Sequence, residues 1–479
     1  MTELTKTWLK YLSDEDIHNI DQASRRVLAE VGIRMEDETF IARLKKKGCT
    51  NNNNKVQIPS ELIDAALKDL PRQVTFIGRK GDTLEIGTGH TATHTGASIP
   101  YIIDRETGKK RNATLTDLED MIRLMNHLDN LSMVGALIQP QEMPAEISEL
   151  IQNATTLRLG TKPGSGQAVS TAAQARYVAE LLQAYEGSFD NPDNYPTSTI
   201  GISPEDPLYY PAEITGVMEA LISKGIPTLS LVAPILGFTA PMTIGGGMVQ
   251  MNANILAYCV LSHDINPSNP VFYGARLCSA NMTNGHSIWG VPEIGIIGAC
   301  SVQLARHYGI PSDVYGYSST SCTHDLQLGV ESSTNGLLPF LAGADVISGF
   351  GSFGSGFIAS FEDLVFDDEV FGMNQRMNQG VKIDPDHLAV DVIADAMEGK
   401  DFFLNPHTLK HLRTGELFRP KVGLYDLPKK WEEEGCQNMT EKCRERVTEI
   451  LDKNEDLPLP DEVEKEFDTI IEAARKELC

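Results

Sequence analysis

The sequence predicts an α/β protein: a (β/α)8 barrel of the TIM type, with an N-terminal α+β extension and a C-terminal helical tail. Three observations carry this. From Thr116 onward, amphipathic helical stretches alternate with short apolar runs at spacings of about 30 to 45 residues, as parallel strands with crossover helices require. One such run, Val346 and Ile347 after Gly343-Ala344-Asp345, empties into a stretch, 346–361, that holds four glycines and four phenylalanines and no charge. Glycine lets backbone approach a ligand closely, and α/β proteins build pockets where strands end. An early Gly-x-Gly-x-x-Gly fingerprint with an acidic residue downstream is absent, which favours a closed barrel over an open doubly wound sheet.

In chain order, Asp14–Val31 and Asp37–Lys47 read as amphipathic helices, and the asparagines at 51–54 as an exposed turn. Ser60 is placed to cap a helix to Lys68. Val74–Ile77, Thr83–Ile86 and Ala97–Ile103 are short strand patterns, the last followed by the turn Asp104–Gly108. Residues 1–115 are thus the extension. The barrel, 116–428, pairs helix Asp117–Leu128 with strand Leu131–Gln139, Ala145–Leu159 with Lys162–Val169, and Ala172–Tyr185 with Thr197–Ile202. Ala212–Lys224 then leads to Thr228–Ala233, Gly247–Ser262 to Val271–Arg276, Pro292–Tyr308 to Asp313–Tyr317, and Asp325–Leu341 to Val346–Ser348. After helix Pro385–Met397, an eighth strand at Phe402–Leu404 would close the set. The tail, 429–479, is rich in Glu and Lys and ends in a helix, Asp461–Leu478, expected on the outside or against another subunit of a homo-oligomer.

Composition narrows the function. Lys and Arg number 41 against 66 Asp and Glu, a net charge of −25, which repels phosphate backbones and anionic lipid. Nucleic acid and membrane partners are therefore not expected. The eight cysteines form no Cys-x-x-Cys pair and fit reduced thiols of a cytoplasmic protein. The first twenty residues are polar and charged, unlike a signal peptide. In a barrel the chemistry belongs to the loops after the strands. Here Pro140-Gln141-Glu142, 203–210, 234–247, 277–290, 318–324 and 349–361 hold Ser, Thr, Gly, Asn, Phe and Tyr with few charges. They offer little to grip a sugar phosphate beyond Arg276. Glu142 with Glu205 or Asp206 could serve as the carboxylate pair of a glycosidase.

Read together, the segments 100–128 (PYIIDRETGKKRNATLTDLEDMIRLMNHL), 233–247 (APILGFTAPMTIGGG), 323–331 (THDLQLGVE), 361–372 (FEDLVFDDEVFG) and 402–413 (FFLNPHTLKHLR) resemble the trimethylamine methyltransferase family. The likeness is to its members that lack pyrrolysine and act on quaternary amines. The resemblance implies a TIM barrel that moves a methyl group from a methylamine to the Co(I) corrinoid, or cobalamin, of a separate protein. The best-known member carries pyrrolysine just ahead of an Asp-x-Gln motif. Here 318–323 reads SSTSCT, with Cys322 the nearest match, so a betaine-type donor is implied rather than trimethylamine.

The resemblance draws Gln327 and Glu331, four apart and so on one helix face, toward the catalytic pocket, together with Asp325. Asp325 reads equally as a simple helix cap. Phe350, Phe353, Phe357, Tyr273 and Tyr209, at or after strands, are candidates for an aromatic box around a cation, although any one of them alone fits ordinary core packing. Arg276 is the best-placed partner for a betaine carboxylate, with a structural ion pair the competing reading. His324 is a further candidate contact, or a hydrogen-bonded structural histidine. His90 with His94, and His407 with His411, have metal-like spacing but no His-Glu-x-x-His glutamate, so both pairs read as structural and no metal is expected. The chain also lacks Asp-x-His-x-x-Gly, so the cobalt is expected on a partner, with no cofactor held tightly by this chain. A betaine- or corrinoid-binding protein without turnover is the non-enzymatic alternative.

Overall fold

The computed structural model describes residues 8–96 and 98–479. Residues 1–7, where the polar N-terminal stretch begins, and Ala97, the first residue of an expected strand, lie outside the described residues.

Seven parallel strands form the barrel wall: β1 (Ala92–Thr95), β2 (Gly164–Ala168), β3 (Ser198–Ile202), β4 (Thr228–Ser230), β5 (Val271–Ala275), β6 (Ser312–Tyr315) and β7 (Val346–Phe350), in the spatial order β1-β7-β6-β5-β4-β3-β2. The gap between β1 and β2 is filled by the segment 131–139, which is irregular. Its Ser132 and Met133 N–H groups both donate to the Thr93 carbonyl, at 3.1 and 3.0 Å, and Val134 bridges Gly164 in parallel. The Leu137 N–H turns back onto the Gly135 carbonyl at 2.9 Å, which breaks the ladder there.

The expected eighth strand is corrected by this arrangement. Phe402–Leu404 is exposed, irregular chain, and its place in the wall belongs to β1, inside the first 115 residues. The sequence Ala-Thr-His-Thr has no apolar alternation because its inward residue, His94, serves a polar interior, whereas the apolar Phe-Phe-Leu lies outside the barrel altogether.

Side-chain alternation along the strands sorts the interior into layers. The lowest layer is apolar: Ala92, Met133, Leu229, Phe272 and Val346 pack against Val74, Phe76 and Ile86. Those last three belong to the antiparallel hairpin Val74–Ile77/Thr83–Ile86, which closes the N-terminal end of the barrel. Phe76 and Phe272 ring centres lie 6.1 Å apart, and Ile77 and Arg79 donate to carbonyls of Pro196 and Thr161, just ahead of β3 and β2. Two residues up from Ala92, Phe272 and Val346 come His94, Gly274 and Ser348, so polar and small residues replace hydrocarbon.

Helices cover the outside. The longest, Ile244–Ile265, is apolar nearly all round because it is packed on several sides, including by the helices Asp14–Arg26 and Ser60–Asp69 of the extension. Tyr209–Tyr210, after β3, pairs in parallel with Ile33–Met35, which joins the extension's small sheet to the barrel. The tail packs on its own barrel: Met439–Asp452 lies along Phe361–Gln379, and Asp461–Leu478 along Ala145–Leu159 and Ala172–Glu186. Between Asn374 and Cys443 the chain runs as an arm in which only His411 and Val422 are buried.

Candidate active site

Period-2 alternation in β6 sends Val314 toward the helices and Asp313 and Tyr315 into the barrel. Asp313 is the hub of a buried polar cluster. Its Oδ1 accepts from Arg276 Nη2 at 2.5 Å, and its Oδ2 lies 2.8 Å from His94 Nε2. Arg276, at the end of β5, also donates through Nη1 to the carbonyls of Ala275 (3.1 Å) and Asp313 (2.7 Å). His94 Nδ1 stands 2.8 Å from the Thr95 carbonyl. Burial would raise the Asp313 pKa, but Arg276 and His94 outweigh it and hold the carboxyl below its ordinary range. The cluster is thus an ionised, compensated pair under low solvent access, Arg276 being 7% exposed.

Above it stand aromatic side chains. The Arg276 guanidinium lies 5.7 Å from the Tyr315 ring centre, and Tyr315 meets Trp289 edge-on at 4.8 Å. The Tyr315 hydroxyl and Ser352 Oγ are 3.0 Å apart, which ties β6 to the loop after β7. Nearby, the hydroxyls of Thr95 and Ser165 are buried without a hydrogen-bond partner. A Cβ at Gly135 would lie 3.5 and 3.3 Å from them and 2.7 Å from the Ser165 carbonyl, so this close approach requires glycine.

The expected residues divide. Arg276 is in this place, paired to Asp313 yet with two of its five N–H groups uncommitted. Glu331 organises the loop after β6: its Oε2 accepts from Ser319 Oγ and the Thr320 N–H, both at 2.8 Å, and its Oε1 from Gln327 Nε2 at 2.9 Å. Any side chain at Gly290 would collide with it. Asp325 caps the helix Leu326–Ala342, accepting from the Leu328 N–H at 3.0 Å, and that bond with the Ser321 hydroxyl lowers its pKa. His324 Nε2 is 2.9 Å from Ser360 Oγ and its ring is 5.1 Å from Phe353. Burial lowers its pKa.

The aromatic candidates are not brought together. Phe350 points out of the barrel wall onto Tyr317 and Phe371, and Tyr273 points out onto Tyr308, its hydroxyl 2.8 Å from Asn252 Oδ1. Tyr209 sits under the Arg34 guanidinium (3.6 Å) with its hydroxyl on Glu36, at the seam with the extension. Phe353 is buried beneath the loop hairpin, and Phe357 at its tip is 48% exposed.

The loop after β7 is itself a packed hairpin, Ser352–Phe353 against Ile358–Ala359. Its N–H groups are taken by protein: Gly351 by Asp367, Gly354 by Ser321 and Ser355 by Ser319. Gly349 (φ +120°) is required, since a Cβ there would strike the Gly316 carbonyl. Of the carboxylates considered for glycosidase chemistry, Glu142 caps a helix through the Leu115 N–H (2.6 Å). Asp206 is pushed up to about 6 by burial, against hydrogen bonds from Gln250 and Asn254. Sequence reasoning passed over Asp313, Tyr315 and Trp289, and read His94 only as one of a structural pair with His90. The signal for Asp313 and Tyr315 was present: a charged residue inside an otherwise buried strand, two positions from a tyrosine.

Comparison with known proteins agrees with this architecture. The trimethylamine methyltransferase (MTTB) family matches residues 2–479. A glycine betaine methyltransferase of Desulfitobacterium hafniense (strain Y51) is 26% identical over 472 residues, 98% of this chain and 97% of that protein. A proline betaine:corrinoid methyltransferase of Eubacterium limosum is 30% identical over 386 residues, 78% of this chain and 79% of that one. A trimethylamine methyltransferase of D. hafniense (strain DSM 10664 / DCB-2) is 26% identical over 469 residues, 97% of this chain and 94% of that one. The crystal structure of the Methanosarcina barkeri monomethylamine methyltransferase matches with TM-score 0.52 at 13% identity, covering 98% of this chain and 87% of that one, a likeness of fold alone. The chain therefore belongs to the trimethylamine methyltransferase family and is a methyltransferase.

Proposed function

We propose that this enzyme takes a methyl group from a quaternary amine of the betaine type and passes it, in the cytoplasm, to the Co(I) corrinoid of a separate protein. Glycine betaine is the first candidate, with proline betaine and carnitine-like compounds next. The observation that carries the reading is Arg276 beside Tyr315 and Trp289 in the barrel interior. A betaine joins a carboxylate to a quaternary ammonium within a few bonds, so its site needs a cation donor next to aromatic faces. The uncommitted N–H groups of Arg276 suit the carboxylate. Each aromatic face contributes ~0.5–2 kcal/mol to holding the ammonium. Relatives named for glycine betaine and proline betaine support the same substrate class.

The corrinoid supplies the nucleophile that accepts the methyl group. The rest falls to this chain. A quaternary nitrogen already bears its charge, and when the C–N bond breaks the electron pair goes to nitrogen and a neutral tertiary amine leaves. No proton is needed, which agrees with a cluster whose one carboxylate is held ionised. The side chains must instead grip both ends of the substrate and aim one methyl group outward, converting an encounter into an aligned approach. The rim suits a partner protein: Phe238, Met242 and Met282 from the loops after β4 and β5 are exposed, as are Leu326 and Val330 at the head of the helix after β6.

A second copy of this chain is the occupant we assign to the arm. Val381, Ile383, Val390, Ile393, Met397 and Phe403 are all more than half exposed. The arm is held to the barrel by Lys421, which meets Asp129 and Asp368, and exposed apolar side chains in this number mark a protein–protein contact. The test of function is incubation with cob(I)alamin and a panel of glycine betaine, proline betaine, carnitine and trimethylamine. Methylcobalamin absorbance is expected with a betaine and not with trimethylamine. Formation from trimethylamine alone, or from no member, would overturn the proposal.

A further inference from the structure

The arm holds a second constellation that methyl transfer does not use. His407 and His411 are four apart on the helix Pro406–Arg413, so their imidazoles share one face, ring centres 4.2 Å apart. Asp386, from the short helix Pro385–Leu388, reaches the same point, its Oδ2 3.1 Å from His411 Nε2. One ligand atom from each of Asp386, His407 and His411 lies within 4.8 Å of the others. Ligands around a tetrahedral zinc, with bonds of 2.0–2.1 Å, sit about 3.3 Å apart, so small side-chain rotations reach that geometry.

His411 itself is the second observation. It is 9% exposed; its Nδ1 has no hydrogen-bond partner, and its Nε2 meets the Asp386 carboxylate at 3.1 Å without hydrogen-bond alignment. A buried imidazole with one bare nitrogen and one poorly aligned contact carries a desolvation cost that coordination would remove. Its neighbours are set as supports of metal ligands commonly are. His407 Nε2 is 2.9 Å from the Asp386 carbonyl, which can fix the ring and leave Nδ1 as ligand. His387, its Nδ1 2.7 Å from Asp384 Oδ2, stacks edge-on against His411 at 4.8 Å, and Glu416 joins His387 and His411 in a further group of possible ligands. Lys410 Nζ now meets Asp386 Oδ2 at 2.6 Å, but its side chain is 56% exposed and can turn to solvent when a divalent cation takes that oxygen.

We infer that Asp386, His407 and His411 form a structural transition-metal centre, best suited to Zn²⁺, that clips the two halves of the arm together. The ligand set of two imidazoles and a carboxylate is one that zinc accepts, with water or His387 in the fourth position. The need is plain in the same segment: from 375 to 442 only His411 and Val422 are buried, too little core to hold several short helices. Small units in that condition are held by metals or cross-links.

The test uses the full chain without an affinity tag. After desalting it should retain close to one zinc per chain by plasma mass spectrometry. Asp386→Asn and His407→Ala should each lower that to under one tenth, with the barrel's circular dichroism unchanged. Adding Co²⁺ to chelator-stripped protein should produce the visible bands of a tetrahedral site in the parent and not in His407→Ala. Because Asp386 and His407 are partly exposed, loss of metal in their variants is separable from loss of fold. Less than one tenth of a zinc per chain together with no Co²⁺ spectrum in the parent would overturn the inference, as would variants that retain as much metal as the parent.

Discussion

Arg276 is the residue on which substrate choice turns. Arg276→Gln should raise KM for glycine betaine at least tenfold while affecting a quaternary amine without a carboxylate much less, checked by initial rates across such a pair. It should also lower stability by about 3–5 kcal/mol, because Asp313 is then left buried with only His94. Asp206 makes the opposite case. Its carboxyl is raised to about 6 in the fold, so the native state favours the proton, and that contribution is full below about pH 4 and lost as pH rises through 6. Asp206→Asn, neutral at every pH, should therefore raise the thermal midpoint at pH 8, by about 1–2 kcal/mol of stability, and have little effect at pH 4. At this scale the sequence showed Arg276 and both of its competing roles, since the residue makes an ion pair and keeps donors to spare. It did not show which aromatics join it. Phe350 and Tyr273 have the right types and sit on the right strands, but parity turns Tyr273 outward, and the register shift at Gly349 turns out Phe350, which shares the parity of the inward Val346 and Ser348.

At the scale of elements, the hairpin Val74–Ile77/Thr83–Ile86 is the feature most open to a stability measurement. Phe76→Ala removes a fully buried ring from the layer it shares with Phe272 and Val346, and should cost about 3–5 kcal/mol in urea unfolding. Six expected strands, from Lys162–Val169 to Val346–Ser348, coincide with β2 to β7 to within a few residues, because each is bounded by helices with clear periodicity, although the first is glycine-rich rather than apolar. The segment 131–139 was placed correctly but is too kinked at Gly135 to pair regularly. β1 escaped notice because its residues serve the polar interior. The hairpin was read as two strands, but nothing in its pattern says that it seals a barrel, since that depends on contacts nearly two hundred residues away.

For the whole molecule, the exposed apolar side chains of the arm govern assembly. Val390→Asp with Ile393→Asp, two exposed positions on one short helix, should convert an oligomer to a monomer in sedimentation without changing the barrel's circular dichroism. A chain that already sediments as a monomer would refute the assignment of a second copy to the arm. The hairpin seal has a further result at this scale. A barrel stoppered at its base has one doorway, so substrate, methyl acceptor and spent amine must all use it. The small molecule has to be inside before the acceptor arrives, and what remains of it leaves only after the acceptor withdraws. Turnover becomes a queue, in which excess acceptor should compete with the amine for access to the doorway.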